Sequence, residues 1–444
     1  MGRTIVVEET VNDYISSLYG NHQWQLGLMI GQLSPQRDYV LHLSRTPLQS
    51  ESKPATLEDV ENSWITEHAR QVSRMLTGGL DVVGVFAFGP PDMLTKSQTK
   101  LRNLLFFINK NVQSKSSSYF EDLSYSRVLL QICSATKKII CRTIDVSDFR
   151  ATPNPAEIKY QSFASKWLQL ETTLLLPNCP FIVPRKLEKT SLQNQIVGSI
   201  YNIFQNMSNA LCTVNGELCA DEQPLSTGEK IGKGHRNLKA TQTFRIDIFS
   251  EELCAPGKIE KIETVHSLSM SGSLCCRAYV HQKATVKEAI QALKYDVIRS
   301  FLSRLEVLCD DIMDNQDEKK ENETSSASTW TCPQRVFFPL GVGPVTVCDY
   351  VFRDETVKES LERMKDLLDV EPKEDDFECK EELPDVHILK SLMEEREKDG
   401  SKEEATEKET NQQGLGKRVI GTVAGIIVAV VAAGITFLWG ENAG

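Results

Sequence analysis

The sequence is poor in the features by which most enzymes and secreted proteins are read. Its seven histidines, at 22, 42, 68, 235, 266, 281 and 387, form no H-x-H and no H-E-x-x-H, and its 12 cysteines form no C-x-x-C, so no zinc site is written in local spacing. The cysteines are scattered through 444 residues, and the start MGRTIVVEET has no apolar signal segment; both point to reduced thiols in a cytosolic environment. A basic excess is missing too. The formal net charge is −11, and residues 371–410 alone hold 16 acidic against 7 basic side chains, which leaves the rest near neutral and excludes a nucleic-acid footprint. Gly232-Lys233-Gly234 lacks the spacing and the following Ser or Thr of a phosphate loop. Nothing calls for a cofactor.

What is present is most distinctive at the C-terminal end. Val419 to Trp439 are 21 residues without a charge, which as a helix span roughly 31 Å, the thickness of a hydrocarbon core. Lys417 and Arg418 flank this segment on one side, as the positive-inside rule asks, and Trp439 stands where an interfacial aromatic belongs. The expected topology is tail-anchored: a cytosolic body, an acidic flexible tether over 371–418, a transmembrane helix over 419–439 and a lumenal tail over 440–444. Gly421, Gly425, Ala429 and Ala433 recur every four residues and offer a small-residue face for helix packing.

The body reads as α+β. Residues 1–176 alternate irregularly between strands (Thr4 to Val7, GLMIGQ, DYVLHLSRT, Leu80 to Phe88, the hairpin VLLQICSATKKIICRTIDV, Leu168 to Leu176) and helices (Thr10 to Leu18, Ser63 to Leu76, Asp92 to Val112). Thr77-Gly78-Gly79 reads as a helix stop. Residues 177–370 form a second α+β domain with a repeat: YVHQKATVKEAIQALK (279–294) aligns without gaps on YVFRDETVKESLERMK (350–365), with seven identities in sixteen positions. Each copy is a strand end, a turn and a helix opened by a capping box, Thr285 with Glu288 and Thr356 with Glu359, and Thr10 with Asp13 echoes the pairing. Ile290, Leu293, Val297, Phe301, Leu305 and Leu308 line one helical face and are expected to pack on a sheet. Cys275 and Cys276, adjacent on a strand, point to opposite faces and favour neither chelation nor a disulfide.

The stretch GLDVVGVFAFGPPDM, 79–93, is a buried strand that ends where enzymes often keep their chemistry, yet it holds nothing reactive there. GLMIG (27–31) and GVFAFGP (84–90), with a helix between them, resemble the core of an MPN domain. Its metalloprotease members carry a glutamate before the G-L-x-x-G strand, two metal histidines in G-x-[FY]-H-x-H-P, then a serine and an aspartate three residues apart. The matching positions here are Trp24, Ala87, Gly89, Ser97 and Lys100, so only the serine is kept. Zinc needs three protein ligands to hold a catalytic water, and an indole, a methyl, a glycine and an ammonium supply none. The resemblance thus implies an MPN-like pseudoenzyme domain with no catalytic or metal residues.

A second resemblance covers almost the whole chain. MGRTIVVEETV, GLMIGQLSPQRDYVL, EHARQVSRMLTGGLDVVGVF, CSATKKIICRT, CRAYVH and VTVCDYVF are similar to blocks of the odorant response abnormal protein 4 family. That resemblance implies a non-enzymatic adaptor of the endoplasmic reticulum membrane that supports folding or trafficking of a subset of G-protein-coupled receptors. It also implies a partner, the larger cysteine protease of the ubiquitin-fold-modifier pathway, held through an MPN-like heterodimer. The alternative is a membrane-anchored enzyme with a cysteine active site that no motif reveals.

Overall fold

A computed structural model describes residues 3–388, apart from 21–22, 35–36, 49–53, 114–124, 163–165, 185–189, 191, 227–241, 250–263, 319–329, 342 and 382–384. The expected anchor over 419–439, its flanking Lys417 and Arg418, and its small-residue face lie outside the described residues. Among those described, no helix is long and apolar enough to cross a membrane.

The first half is β1 (Thr4–Val7), α1 (Glu9–Leu18), β2 (Gln25–Gln32), β3 (Arg37–Arg45), α2 (Asn62–Met75), β4 (Asp81–Gly89), α3 (Pro91–Lys96), α4 (Gln98–Ile108), β5 (Ser126–Cys133), β6 (Ile139–Asp145), β7 (Asn154–Pro155) and β8 (Glu157–Tyr160). Its strands make one eight-stranded sheet in the order β7-β6-β5-β4-β2-β3-β1-β8. β4 lies at the centre, antiparallel to β2 and parallel to β5, and is apolar from Val82 to Phe88 because both of its faces are covered. Val83, Phe86 and Phe88 join Val11, Ile15 and Leu18 of α1 on one face; Val82, Val85 and Ala87 join α2 and α4 on the other. Gly84 marks the bulge at which the β2 register slips, and a Cβ there would lie 2.0 Å from the Val128 carbonyl. The helix expected over 92–112 is broken into α3 and α4 at Ser97, whose N–H still donates to the Met93 carbonyl.

The second half is β9 (Trp167–Pro184), α5 (Leu192–Asn209), β10 (Leu211–Val214), β11 (Thr243–Phe249), β12 (Thr264–His281), α6 (Val286–Glu318), β13 (Trp330–Thr331), β14 (Gln334–Pro339), β15 (Thr346–Val351), α7 (Val357–Leu368), β16 (Glu378–Cys379) and β17 (Asp385–Ile388). A six-stranded sheet, β10-β11-β9-β12-β17-β13, carries α5 and α6 on one face, and the expected stripe on α6 packs there, with Leu293, Val297, Phe301, Leu305 and Leu308 buried. Cys276 lies in that core and Cys275 in a separate cluster on the other face. The third sheet is β15-β14-β16. At both repeat helices the threonine and glutamate close the expected reciprocal bonds. The Thr10 echo does not: α1 starts at Glu9, so Thr10 lies inside the helix.

Two boundaries differ from expectation. β9 runs through residue 176 without a break, and one hydrophobic cluster joins Leu28, Val72 and Val82 to Tyr279, Phe338, Val347, Met364 and Leu368. The acidic segment begins by docking, not by dangling: Cys379 and Glu378 pair with Val336 and Phe337, Glu381 is buried, and β17 pairs with β12. Carboxylates there are drawn in by buried arginines, a long-range demand that charge composition does not reveal.

Candidate functional site

The strand end at Gly89 brings together the positions singled out in the sequence. Leu26 of β2 pairs with Ala87, so Trp24 lies just beyond the paired strand ends; a Cβ built on Gly89 would sit 3.4 Å from the Trp24 Cβ and 3.5 Å from the Met93 sulfur. Ala87 is fully buried and paired in register with Gln131 of β5. The Gln131 amide donates to the Leu94 carbonyl at 3.1 Å and its oxygen accepts from Arg142 at 2.7 Å, so it fastens α3 to the sheet. Ser97 is fully buried, and its hydroxyl has no hydrogen-bond partner among the described residues. Lys100 turns elsewhere: its ammonium donates to the Glu58 and Val60 carbonyls, and burial lowers its pKa. The place is filled by an indole, a thioether and main chain. No group of three His, Cys, Asp or Glu able to hold a metal occurs among the described residues.

Cys133 ends β5 opposite Gly89. Hydrogen bonds from Thr136, side chain and main chain, hold its thiol below the ordinary pKa, whereas burial raises Cys275 to about 11 and Cys276 well above its usual range. No described histidine bonds to a cysteine. His42 and His68 meet the Leu368 and Leu367 carbonyls through Nε2 at 2.6 and 2.8 Å, joined on Leu367 by the Ser44 hydroxyl at 2.6 Å, so three side chains of the first half cap the end of α7. Burial drives the pKa of His68 down to about 4 and lowers that of His42, so both rings are neutral at pH 7.

The densest chemistry lies at the seam between the halves. Arg335 donates through both terminal nitrogens to Asp296, at 2.7 and 2.9 Å, with both side chains fully buried; Asp296 also accepts the Arg277 main-chain N–H at 2.8 Å. Arg304 donates to Glu381 at 2.5 Å, and the two oxygens of Glu381 accept the N–H groups of Cys275 and Arg335. Arg277 lies 4.3 Å over the Phe337 ring and donates to Glu171 and Glu378. Burial opposes the charge on Arg335, but Asp296 holds its pKa well above the ordinary value. Arg299 reaches into the first half, donating to the carbonyls of Leu76 and Leu80 at 3.0 Å. Gly78 and Gly79 make this approach possible. A Cβ on Gly78 would lie 2.4 Å from the Ala292 carbonyl and 2.7 Å from the Asp296 Cβ, and Gly79 has φ +77° with a Cβ position 2.0 Å from the Tyr279 carbonyl. Sequence reasoning took the pair for a helix stop and missed these arginines. Two adjacent glycines in front of a buried strand were the one available signal.

Comparison with known proteins extends these observations. The ODR4-like family model (odorant response abnormal 4-like) matches residues 27–379. A mouse relative named protein odr-4 homolog is 34% identical and aligns over 98% of this chain and 99% of its own length. Odorant response abnormal protein 4 of Caenorhabditis elegans is 22% identical over 83% of this chain and 78% of its own. Among solved structures, C. elegans UfSP gives a TM-score of 0.38 at 9% identity, covering 83% of this chain and 57% of that one. The chain belongs to the odorant response abnormal 4-like family.

Proposed function

We propose that this protein is a non-enzymatic, tail-anchored adaptor of the endoplasmic reticulum membrane. Its MPN-like body recruits the ubiquitin-fold-modifier-specific cysteine protease, and it supports folding or trafficking of a subset of G-protein-coupled receptors. The observation that carries this reading is the strand end at Gly89, where a hydrolase would hold its ligands and this chain has Trp24, Ala87, Gly89 and a diverted Lys100. Membership in a family with a worm relative named for an abnormal odorant response supports the receptor role. The uncharged run 419–439 supports the anchor, and the acidic residues that follow Ile388 supply a tether to it. Tethering raises the local concentration of a bound protease near membrane substrates without any new contact.

The test is membrane fractionation of the protease in cells carrying the full chain or residues 1–414 only. Recruitment requires that the protease leave the membrane with the truncated chain yet co-purify with it. A protease that stays on the membrane and does not co-purify removes the recruitment role. The low-pKa Cys133 thiol favours one second reading, a cysteine enzyme. Selective iodoacetamide labelling of Cys133 near neutral pH would raise it; labelling no faster than that of the exposed Cys379 would end it.

A further inference from the structure

A small basic cleft opens where the first strands of the eight-stranded sheet meet the end of β12. Its cavity of about 70 Å³ is lined by Val6, Arg37, Tyr39, Gln161, Lys166, His281, Gln282 and Lys283. His281 is only 7 % exposed, stacks on Tyr39 at 4.6 Å and meets the edge of Trp167, so the wall is rigid. Its Nδ1 accepts the Lys283 N–H at 3.3 Å, which leaves the proton of the neutral ring on Nε2. The main-chain N–H of Gln282 donates to the Lys166 carbonyl and that of Gln161 to the Val7 carbonyl, which ties both residues to the frame and leaves their side-chain amides out of these bonds.

The charged residues that line this cleft among the described residues are all basic. Arg37, Lys166 and Lys283 all act on His281 and, after burial, push its pKa down further, to about 4. Among the described residues none of the three forms an ion pair. The nearby carboxylate, Glu288, accepts the Thr285 N–H at the start of α6. Three cations line one cleft with no ion-pair partner among the described residues, and an anion bound there meets positive charge from all three. At roughly 10–15 Å³ for each water-sized atom, the cavity holds about five to seven of them, room for a phosphate group.

We propose that this cleft binds a phosphate-type oxyanion, held by Arg37, Lys166 and Lys283 against the His281 ring, with Gln161 and Gln282 as neutral donors. The proposal stands apart from the adaptor reading, since it needs neither the protease nor the anchor. Lysine supplies a compact charge suited to a phosphate, and charge-assisted bonds of this kind are the strong ones.

The experiment is isothermal titration calorimetry of the full-length chain in detergent at constant ionic strength, with inorganic phosphate, glycerol 3-phosphate or sodium chloride. Saturable binding is expected for a phosphate and not for chloride. Lys166→Gln is expected to weaken it about tenfold. Lys358→Gln, the same charge change on the exposed face of α7, leaves it unchanged. If Lys166→Gln fails to fold, the exposed Lys283→Gln carries the same expectation. Tighter binding of glycerol 3-phosphate than of phosphate assigns a phosphorylated molecule as the ligand; equal or weaker binding assigns the free ion. Absence of saturable binding to either phosphate, or wild-type binding by both cleft variants, overturns the proposal.

Discussion

The strand end at Gly89 and the seam around Asp296 are opposites. At the first, the positions suited to metal ligands hold none and the place is filled by Trp24 and Met93. At the second, fully buried charges are packed against one another in pairs. The difference shows where this chain uses its buried charges: they join α6 and β12 to the three-stranded sheet within the second half, and Arg299 carries the contact on to the first. Buried ion pairs are weak as stabilisers but severe on mispairing, because an arginine left without its carboxylate is a charge in a low-dielectric interior. Here they specify one docking of the three-stranded sheet on α6, beside the contact with Gly78 of the first half.

The sharpest way to break this contrast is Asp296→Ala. It strands Arg335 and the Arg277 N–H together and should cost about 3–5 kcal/mol, read as the urea midpoint of unfolding. Asp296→Asn, which keeps an acceptor, should lose less. A loss below about 1 kcal/mol for the alanine variant would mean that the seam is not specified by charge.

Acidification probes the same seam through α7. The folded pKa of His68, about 4, lies below its ordinary value, so folding favours the neutral ring. Its contribution is complete above about pH 6.5 and is lost as pH falls toward 4, up to about 3 kcal/mol; His42 shifts in the same direction. Urea midpoints at pH 7.5, 5.5 and 4.5 should fall in that order, and His68→Gln should flatten part of the slope. An unchanged slope would assign the acid sensitivity to other groups.

A gentler pair of substitutions compares the two places directly. Gly78→Ala forces a Cβ into the Ala292 carbonyl and Asp296 and should cost about 1–3 kcal/mol, whereas Ser97→Ala, which removes a buried hydroxyl without a hydrogen-bond partner, should lie within about 0.5 kcal/mol of the parent. Thermal melts of the full chain rank them. Equal losses would erase the distinction.

Much of the secondary structure was legible because its signals are local. The continuous apolar run of β4, the amphipathic spacing of α2 and the capping boxes of α6 and α7 all act within a few residues. The ligand positions emptied at Gly89 were equally readable, since each is a residue type at a fixed offset. The seam was not. Asp296 and Arg335 lie 39 residues apart and Cys275 and Glu381 lie 106 apart, and no period or motif links such partners. Glu381 therefore looked like part of a solvated acidic run, and Gly78 like punctuation.

The shared core has a consequence for synthesis. The cluster that holds Val72 and Val82 is not complete until Val347, Met364 and Leu368 arrive, and Arg304 has no Glu381 carboxylate until that residue follows. At about 5–20 residues per second, the roughly 200 residues between the last strand of that sheet and Glu381 take on the order of 10–40 s to make. Throughout that interval the nascent chain leaves open to water the part of this cluster that Val347, Met364 and Leu368 cover in the finished protein. The chain is thus its own first client for protection during folding.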